Sequence, residues 1–148
     1  MISVCIATYN GESYLRQQLG SVLSQLGEED EVIISDDSST DMTLDIIHSF
    51  NDSRIKLFAH KKEKLPYAIS YPIRNFENAL QHASGDYIFL SDQDDVWLEN
   101  KVQVMMAALE AGAEDFNVED DEYEITTSPE DFVTVCDNLR DAGYELAN

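Results

Sequence analysis

Short apolar runs alternate with amphipathic stretches through the first hundred residues. Ile2-Ser3-Val4-Cys5-Ile6-Ala7 is dense in β-branched residues and reads as a buried strand. Thr8-Tyr9-Asn10-Gly11 is a loop. From about Glu12 to Leu26 the apolar positions Leu15, Leu19, Val22, Leu23 and Leu26 recur at helical spacing, and Gly27 with Glu28-Glu29-Asp30 ends that helix. Glu31 to Ser35 predicts a second buried strand. A helix from about Asp41 to Phe50 carries Leu44, Ile47 and Phe50 on one face. Arg54 to Phe58 is a half-exposed strand, followed by a loop from Ala59 to Arg74 containing Pro66 and Pro72. Asn75 to Ala83 is helical through Phe76, Ala79, Leu80 and Ala83, with Gly85 as its stop. Tyr87-Ile88-Phe89-Leu90 then reads as a fourth, buried strand. It runs into Ser91-Asp92-Gln93-Asp94-Asp95-Val96-Trp97.

Strand–helix alternation of this kind implies right-handed crossovers, hence an α/β fold with a mostly parallel sheet and helices on both faces. The loops after Ser35 and Ser91 would leave such a sheet at one edge, where open α/β folds bind ligands. Both are acidic.

After a helix from Leu98 to about Ala111 the pattern changes. Residues 107–148 hold thirteen acidic residues and one basic one, a net of −12, against −9 for residues 1–106. Glu122 to Thr127 alternates like a strand buried on one face. Ser128-Pro129-Glu130-Asp131 reads as an N-cap, a first-turn proline and an acidic first turn for a helix carrying Phe132, Val135, Cys136, Leu139 and Ala142. Tyr144 to Ala147 looks like the start of a further strand. So small an α+β piece cannot bury a sufficient core alone.

The net charge of −21 argues against a nucleic-acid surface and against docking on anionic membranes. No run is long enough to span a bilayer. Met1-Ile2-Ser3-Val4 lacks the basic start of a signal peptide, and Cys5 and Cys136 carry no close spacing motif, so a cytoplasmic location is expected.

Asp92, Asp94 and Asp95 repel one another unless a cation is shared between them, although a solvated acidic turn would hold the same residues. The block Asp36-Asp37-Ser38-Ser39-Thr40-Asp41 suits turns and helix caps, and equally the hydrogen bonds of a nucleoside. Tyr9 could stack on a base, and the helix start beside it could meet phosphate. Arg74 could balance the acidic rim or a diphosphate. Lys61, Lys62 and Lys64 read as a solvated loop, and Trp97 as a core plug rather than a sugar platform. His48, His60 and His82 show no ligand spacing.

In this order and at these spacings, residues 1–104 resemble the nucleotide-binding half of the family 2 glycosyltransferases. The resemblance rests on the Ile2–Gly11 segment, the Asp36–Asp41 block, Arg74-Asn75, Ala83-Ser84-Gly85-Asp86-Tyr87-Ile88 and Leu90–Asp95, the last in the form of rhamnosyltransferase-like members. It implies a GT-A fold and a nucleotide-sugar donor, UDP- or dTDP-linked, with Mg²⁺ or Mn²⁺. Thr8, Tyr9, Asn10, Asp36, Arg74 and Asp92 would hold the donor, and Asp94 the metal, with Asp92 or Asp95 nearby. Ser38 stands where the family commonly has Gly, which matters if that residue needs a positive φ. The general base and acceptor site expected of the family are not recognisable, so the domain reads as truncated and no catalytic residue is assigned. Residues 105–148 resemble part of the C-terminal domain of a YebC-type regulator, through Met106–Asp115, Glu124–Phe132 and Ala142–Glu145. The chain thus reads as a chimera with its seam near Val104 to Ala107. The alternatives are an interaction module that pairs Tyr144–Ala147 with a partner's sheet edge, and a non-functional fusion.

Overall fold

The computed structural model describes residues 1–60, 67, 68, 70–119 and 122–147. Lys61, Lys62, Lys64 and Pro66, expected in a loop, lie outside them. The described chain forms two compact units, Met1–Glu99 and Asn100–Asn148.

The first unit contains β1 (Ile2–Thr8), α1 (Leu15–Leu23), β2 (Glu31–Asp36), α2 (Thr43–Ser49), β3 (Ile55–Ala59), α3 (Ser70–Leu80) and β4 (Tyr87–Asp92). The strands make one parallel sheet in the order β3-β2-β1-β4. Val4, Cys5, Ile6, Val32, Ile33 and Ile34 are fully buried, as β-branched central strands covered on both faces should be. Cys5 and Ile33 pack against Ala79 of α3. Ser91 points to the opposite face by strand alternation and meets Gln18 of α1 there, so helices cover both faces.

Two expectations need correction. α3 begins at Ser70, five residues before the predicted start, with Pro72 inside its first turn. Proline is tolerated there because first-turn N–H groups have no intrahelical partner. β4 is an edge strand rather than a buried one. Phe89 and Ser91 are buried, whereas Tyr87, Ile88 and Leu90 are exposed. An apolar run does not report its place in the sheet. Here α3 packs on β1 and β2, and among the described residues no strand pairs with the outer edge of β4.

The second unit contains α4 (Lys101–Ala111), the antiparallel hairpin β5 (Asp115–Glu119) and β6 (Glu122–Thr126), and α5 (Phe132–Asp141). Its core is Ala111, Val135 and Leu139, with Ala107, Ile125, Tyr144 and Leu146 against them. The division at Glu99 falls before α4, five residues ahead of the seam read from the sequence. An uninterrupted helical hydrogen-bond ladder keeps α4 in one piece across that seam. β5 was not anticipated. The strand expected from Tyr144 does not form: Tyr144 and Leu146 pack on the unit's own core. Among the described residues no helix is long and apolar enough to cross a membrane.

At the foot of the sheet, Glu31 is buried at the start of β2. It accepts hydrogen bonds from Ser3 Oγ of β1 (2.6 Å), from Ser84 N and Oγ ahead of β4 (2.8 and 2.9 Å), and from Lys56 Nζ of β3. Its carboxylate therefore ties all four strands. Gly85 beside it has no room for a side chain, since a Cβ would lie 2.6 Å from Ser3 N. Burial pushes the Glu31 carboxyl up, but the donors from Lys56, Ser3 and Ser84 outweigh it and hold the group at about 2. The folded value lies below the unfolded one, so the network stabilises the chain above about pH 4.5 and is lost as pH falls towards 2. Glu31→Gln should cost on the order of 3 kcal/mol at neutral pH and flatten the acid limb of the stability–pH curve. Urea melts from pH 2 to 7 measure both, and a parallel offset at every pH would contradict the linkage.

Candidate functional site

Parallel pairing aligns Thr8 with Asp36 and Ala7 with Asp92, so the exits of β1, β2 and β4 share one edge. A crevice of about 350 Å³ opens there. Thr8 and Tyr9 line it from β1, Tyr71 and Asn75 from α3, and Asp92 and Asp94 from β4 and its exit.

The residues expected to hold a nucleotide divide into two groups. Tyr9, Asp92 and Asp94 are on the crevice wall with exposed side chains. Thr8 and Asp36 are buried and bonded to each other, Thr8 Oγ1 donating to Asp36 Oδ1 at 2.9 Å. Ser39 donates to the same carboxylate through its N–H (2.9 Å) and its hydroxyl (2.6 Å). Asp36 therefore orders the β2 exit and does not line the cavity. Asp37, also buried, meets His60 Nδ1 at 3.1 Å, a contact the sequence had not marked. Ser38 does take a positive φ, 62°, in the region where glycine is usual. Arg74 is exposed and paired with Glu77 at 2.7 Å, away from the crevice lining. Its neighbour Asn75 is the buried residue: Nδ2 donates to Thr8 O at 3.0 Å, and Oδ1 has no protein partner.

The loop after β1 is held from both sides. Four successive N–H groups donate to side chains of other loops: Tyr9 to Gln93 Oε1 (2.9 Å), Asn10 to Ser39 Oγ (2.9 Å), Gly11 to Thr43 Oγ1 (2.8 Å) and Glu12 to Asp41 Oδ2 (3.1 Å). The bonds are partly reciprocated. Asn10 Oδ1 accepts from Thr40 N (2.8 Å), Glu12 Oε2 from Met42 N (2.9 Å), and Gln93 Nε2 donates to Tyr9 O (3.2 Å). Asn10 is thereby a latch between loops, at a φ of 48°. The N–H groups of Tyr9 to Glu12, ahead of α1, are therefore all bonded within the protein.

The β4 exit is anchored from behind. Ser91 Oγ accepts from Gln18 Nε2 (3.0 Å) and Trp97 Nε1 (3.1 Å), and Trp97 N donates to Ser21 Oγ (2.9 Å). Trp97 is 5% exposed and lies against Phe89, so it is a core plug as expected. Between these anchors stand Asp92, Asp94 and Asp95. Burial first, then the neighbouring charges of Asp95 and Asp94, push the Asp92 carboxyl above its ordinary value. Among the described residues no three acidic, histidine or cysteine side chains converge as a closed metal cage. Two carboxylates on an open crevice are the donor set of a hard divalent cation that completes its shell with ligand oxygens and water, so the residues fit Mg²⁺ or Mn²⁺.

Comparison with known proteins places the chain. Residues 3–126 match the family model Glycosyl transferase family 2, which runs past residue 104 and through the β5–β6 hairpin. The chain is 33% identical over 109 residues to the UDP-Glc:alpha-D-GlcNAc-diphosphoundecaprenol beta-1,3-glucosyltransferase WfgD of Escherichia coli, covering 74% of this chain and 41% of that one. It is 35% identical over 103 residues to the dTDP-rhamnosyl transferase RfbG of Shigella flexneri, covering 66% and 34%. Among solved structures, S. aureus TarS 1-349 in complex with UDP-GlcNAc aligns with a TM-score of 0.63 at 28% identity, over 74% of this chain and 31% of that one. The mannosyltransferase PcManGT from Pyrobaculum calidifontis, in complex with GDP-Man and Mn²⁺, shares the fold at a TM-score of 0.57 and 21% identity, over 68% and 30%. With a GT-A-type parallel sheet and a family match over most of its length, the chain belongs to glycosyl transferase family 2 and spans at most about two fifths of the length of the relatives it matches.

Proposed function

We propose that the crevice binds a UDP- or dTDP-linked sugar together with Mg²⁺ or Mn²⁺, as the donor site for transfer of a hexosyl or rhamnosyl group. The observation that carries this reading is the juxtaposition of Tyr9, Asp92 and Asp94 around one cavity. A complex of TarS with UDP-GlcNAc and relatives named for UDP-Glc and dTDP-rhamnose support it.

Each residue then has a distinct task. Tyr9 offers an aromatic face to the base. Thr8, Asp36 and Ser39 form the buried support beneath it. Asp92 faces the ribose, and Asp94, with Asp92 or Asp95, would hold the cation. When bound, such a cation screens diphosphate from carboxylate and neutralises charge developing on the leaving group. The aspartates themselves exclude a bare anion, which keeps the site selective for a cation-complexed donor. No general base is assigned, so donor binding is the activity proposed for these residues. The compactness of Asn100–Asn148 supports treating the C-terminal residues as a separate piece, and the YebC-like identity of residues 105–148 remains a proposal from its resemblance. The packing of Tyr144 and Leu146 on their own unit weighs against the edge-pairing alternative.

Isothermal titration of UDP-glucose and dTDP-rhamnose should show binding with Mn²⁺ that weakens about tenfold or more on chelation and in Asp94→Asn. Affinity indifferent to both changes would overturn the reading. A second measurement needs no ligand. The Asp92 carboxyl is raised in the fold, so its ionised form opposes folding at neutral pH, and that penalty disappears as the pH falls. Without metal, Asp92→Asn should therefore raise the Tm at pH 7, by less as the pH falls. A lowered Tm would contradict the repulsion.

A further inference from the structure

We propose that Gln93 is a positioning residue that couples the two ends of the donor site, so that cation binding at Asp92 and Asp94 tightens the hold of the Tyr9 loop on a nucleoside. The inference rests on the reading of the crevice as a nucleotide-sugar site and adds to it a role for the residue between the two aspartates.

The geometry is specific. The Gln93 side-chain amide reaches across to β1's exit and pairs with both backbone groups of Tyr9, accepting its N–H at 2.9 Å and donating to its carbonyl at 3.2 Å. An amide so placed continues the β1–β4 pairing one residue beyond the sheet, whose last aligned pair is Ala7 and Asp92. The opposite wall makes room for it. A Cβ on Gly11 would lie 2.4 Å from Gln93 Oε1 and 2.9 Å from its Cδ, so a side chain there would expel the amide. Gly11 does not use a left-handed φ, so its want of a side chain serves this contact rather than a turn.

Coupling follows from which atoms are shared. Gln93 lies between Asp92 and Asp94 in the chain, and all three line the crevice with Tyr9. Asp92 and Asp94 flank Gln93 and Asp95 follows, so three like charges crowd one short stretch of chain. A loop under that repulsion holds its backbone, and hence the Gln93 amide, less firmly. A cation held by these carboxylates would relieve the repulsion and steady Gln93, and through its two hydrogen bonds the Tyr9 backbone. The bonds of Asn10, Gly11 and Glu12 to Ser39, Thr43 and Asp41 run to the β2 side. Gln93 thus links the cation end directly to the Tyr9 backbone, and linkage requires the effect to be equal in both directions.

Uridine tests this, because it has no phosphate through which a cation could act directly. On the full 148-residue chain, uridine affinity is measured by titration with and without Mn²⁺, and Mn²⁺ affinity by electron paramagnetic resonance with and without uridine. In the wild type each ligand should tighten the other by about fivefold, and in Gln93→Met and in Gly11→Ala that factor should fall to about one. The ratio is read rather than the separate affinities, so a merely structural loss in either variant leaves it unmoved. Gly11→Ala reaches the same contact from the other side and leaves the sequence of the acidic loop unchanged. A wild-type factor of one, or an unchanged factor in both variants, overturns the coupling. If UDP with Mn²⁺ still binds in that case, the donor-site reading survives; if neither UDP nor uridine binds the wild type with Mn²⁺, both fail.

Discussion

Because β1 is hydrogen-bonded in parallel to β2 on one side and to β4 on the other, three chain exits must leave the sheet at the same edge. The sequence places carboxylates at two of them. Asp36 and Asp37 follow one strand, and Asp92, Asp94 and Asp95 end or follow another. The fold must therefore disperse negative charge at its rim. It does so unequally. Asp36 is supplied with donors from Thr8 and Ser39, and Asp37 with His60, so the β2 exit can be buried. Asp92 and Asp94 receive no comparable set among the described residues and stay open on the crevice. Buried acid groups end as structure, and exposed ones remain for a ligand.

The foot of the sheet makes the same point with the opposite outcome. Glu31 is as acidic as any rim residue, yet donors from Ser3, Ser84 and Lys56 turn its burial into a tie across four strands. Asp92 is pushed the other way by burial and by two neighbouring carboxylates. The difference is the number of donors each group meets. The group left short of donors lies in one loop, held from behind by Ser91, Gln18 and Trp97.

Much of this was legible along the chain, because it depends on local pattern. β-Branched runs separated by helical periodicity specify a parallel α/β sheet, and acidic exits after the second and fourth strands locate the crevice edge. What stayed hidden depends on distance across the fold. The apolar Tyr87–Leu90 run could not say that β4 is an edge. Pro72 looked like a loop marker because its tolerance in a first helical turn depends on where α3 starts. Thr8 and Asp36 were both expected to meet a nucleotide; Thr8 lines the crevice and its hydroxyl also bonds the Asp36 carboxylate, a pairing no local pattern could show. The loop ahead of α1 gave no sign that Ser39, Thr43 and Asp41 would occupy its N–H groups. Ser38 was the exception, since its departure from the family's glycine already marked a position sensitive to positive φ, and 62° is what the structure has.

The residue between two aspartates is easily taken as a spacer that lets both carboxylates face one ligand. Gln93 has a chemical character that a spacer would not need. An amide alone among side chains carries a donor and an acceptor spaced like those of a peptide group, so it can pair with a backbone as a strand would. Its partner is Tyr9, and the space it occupies is reserved by Gly11. Gln93 lies more than eighty residues from Tyr9 and Gly11 in the chain, and no local pattern joins it to them. They are joined by the parallel register that sets Ala7 beside Asp92. The constraint that crowds the carboxylates at one edge is also the one that brings a glutamine within reach of the loop opposite, so charge convergence and loop positioning arise from a single piece of topology.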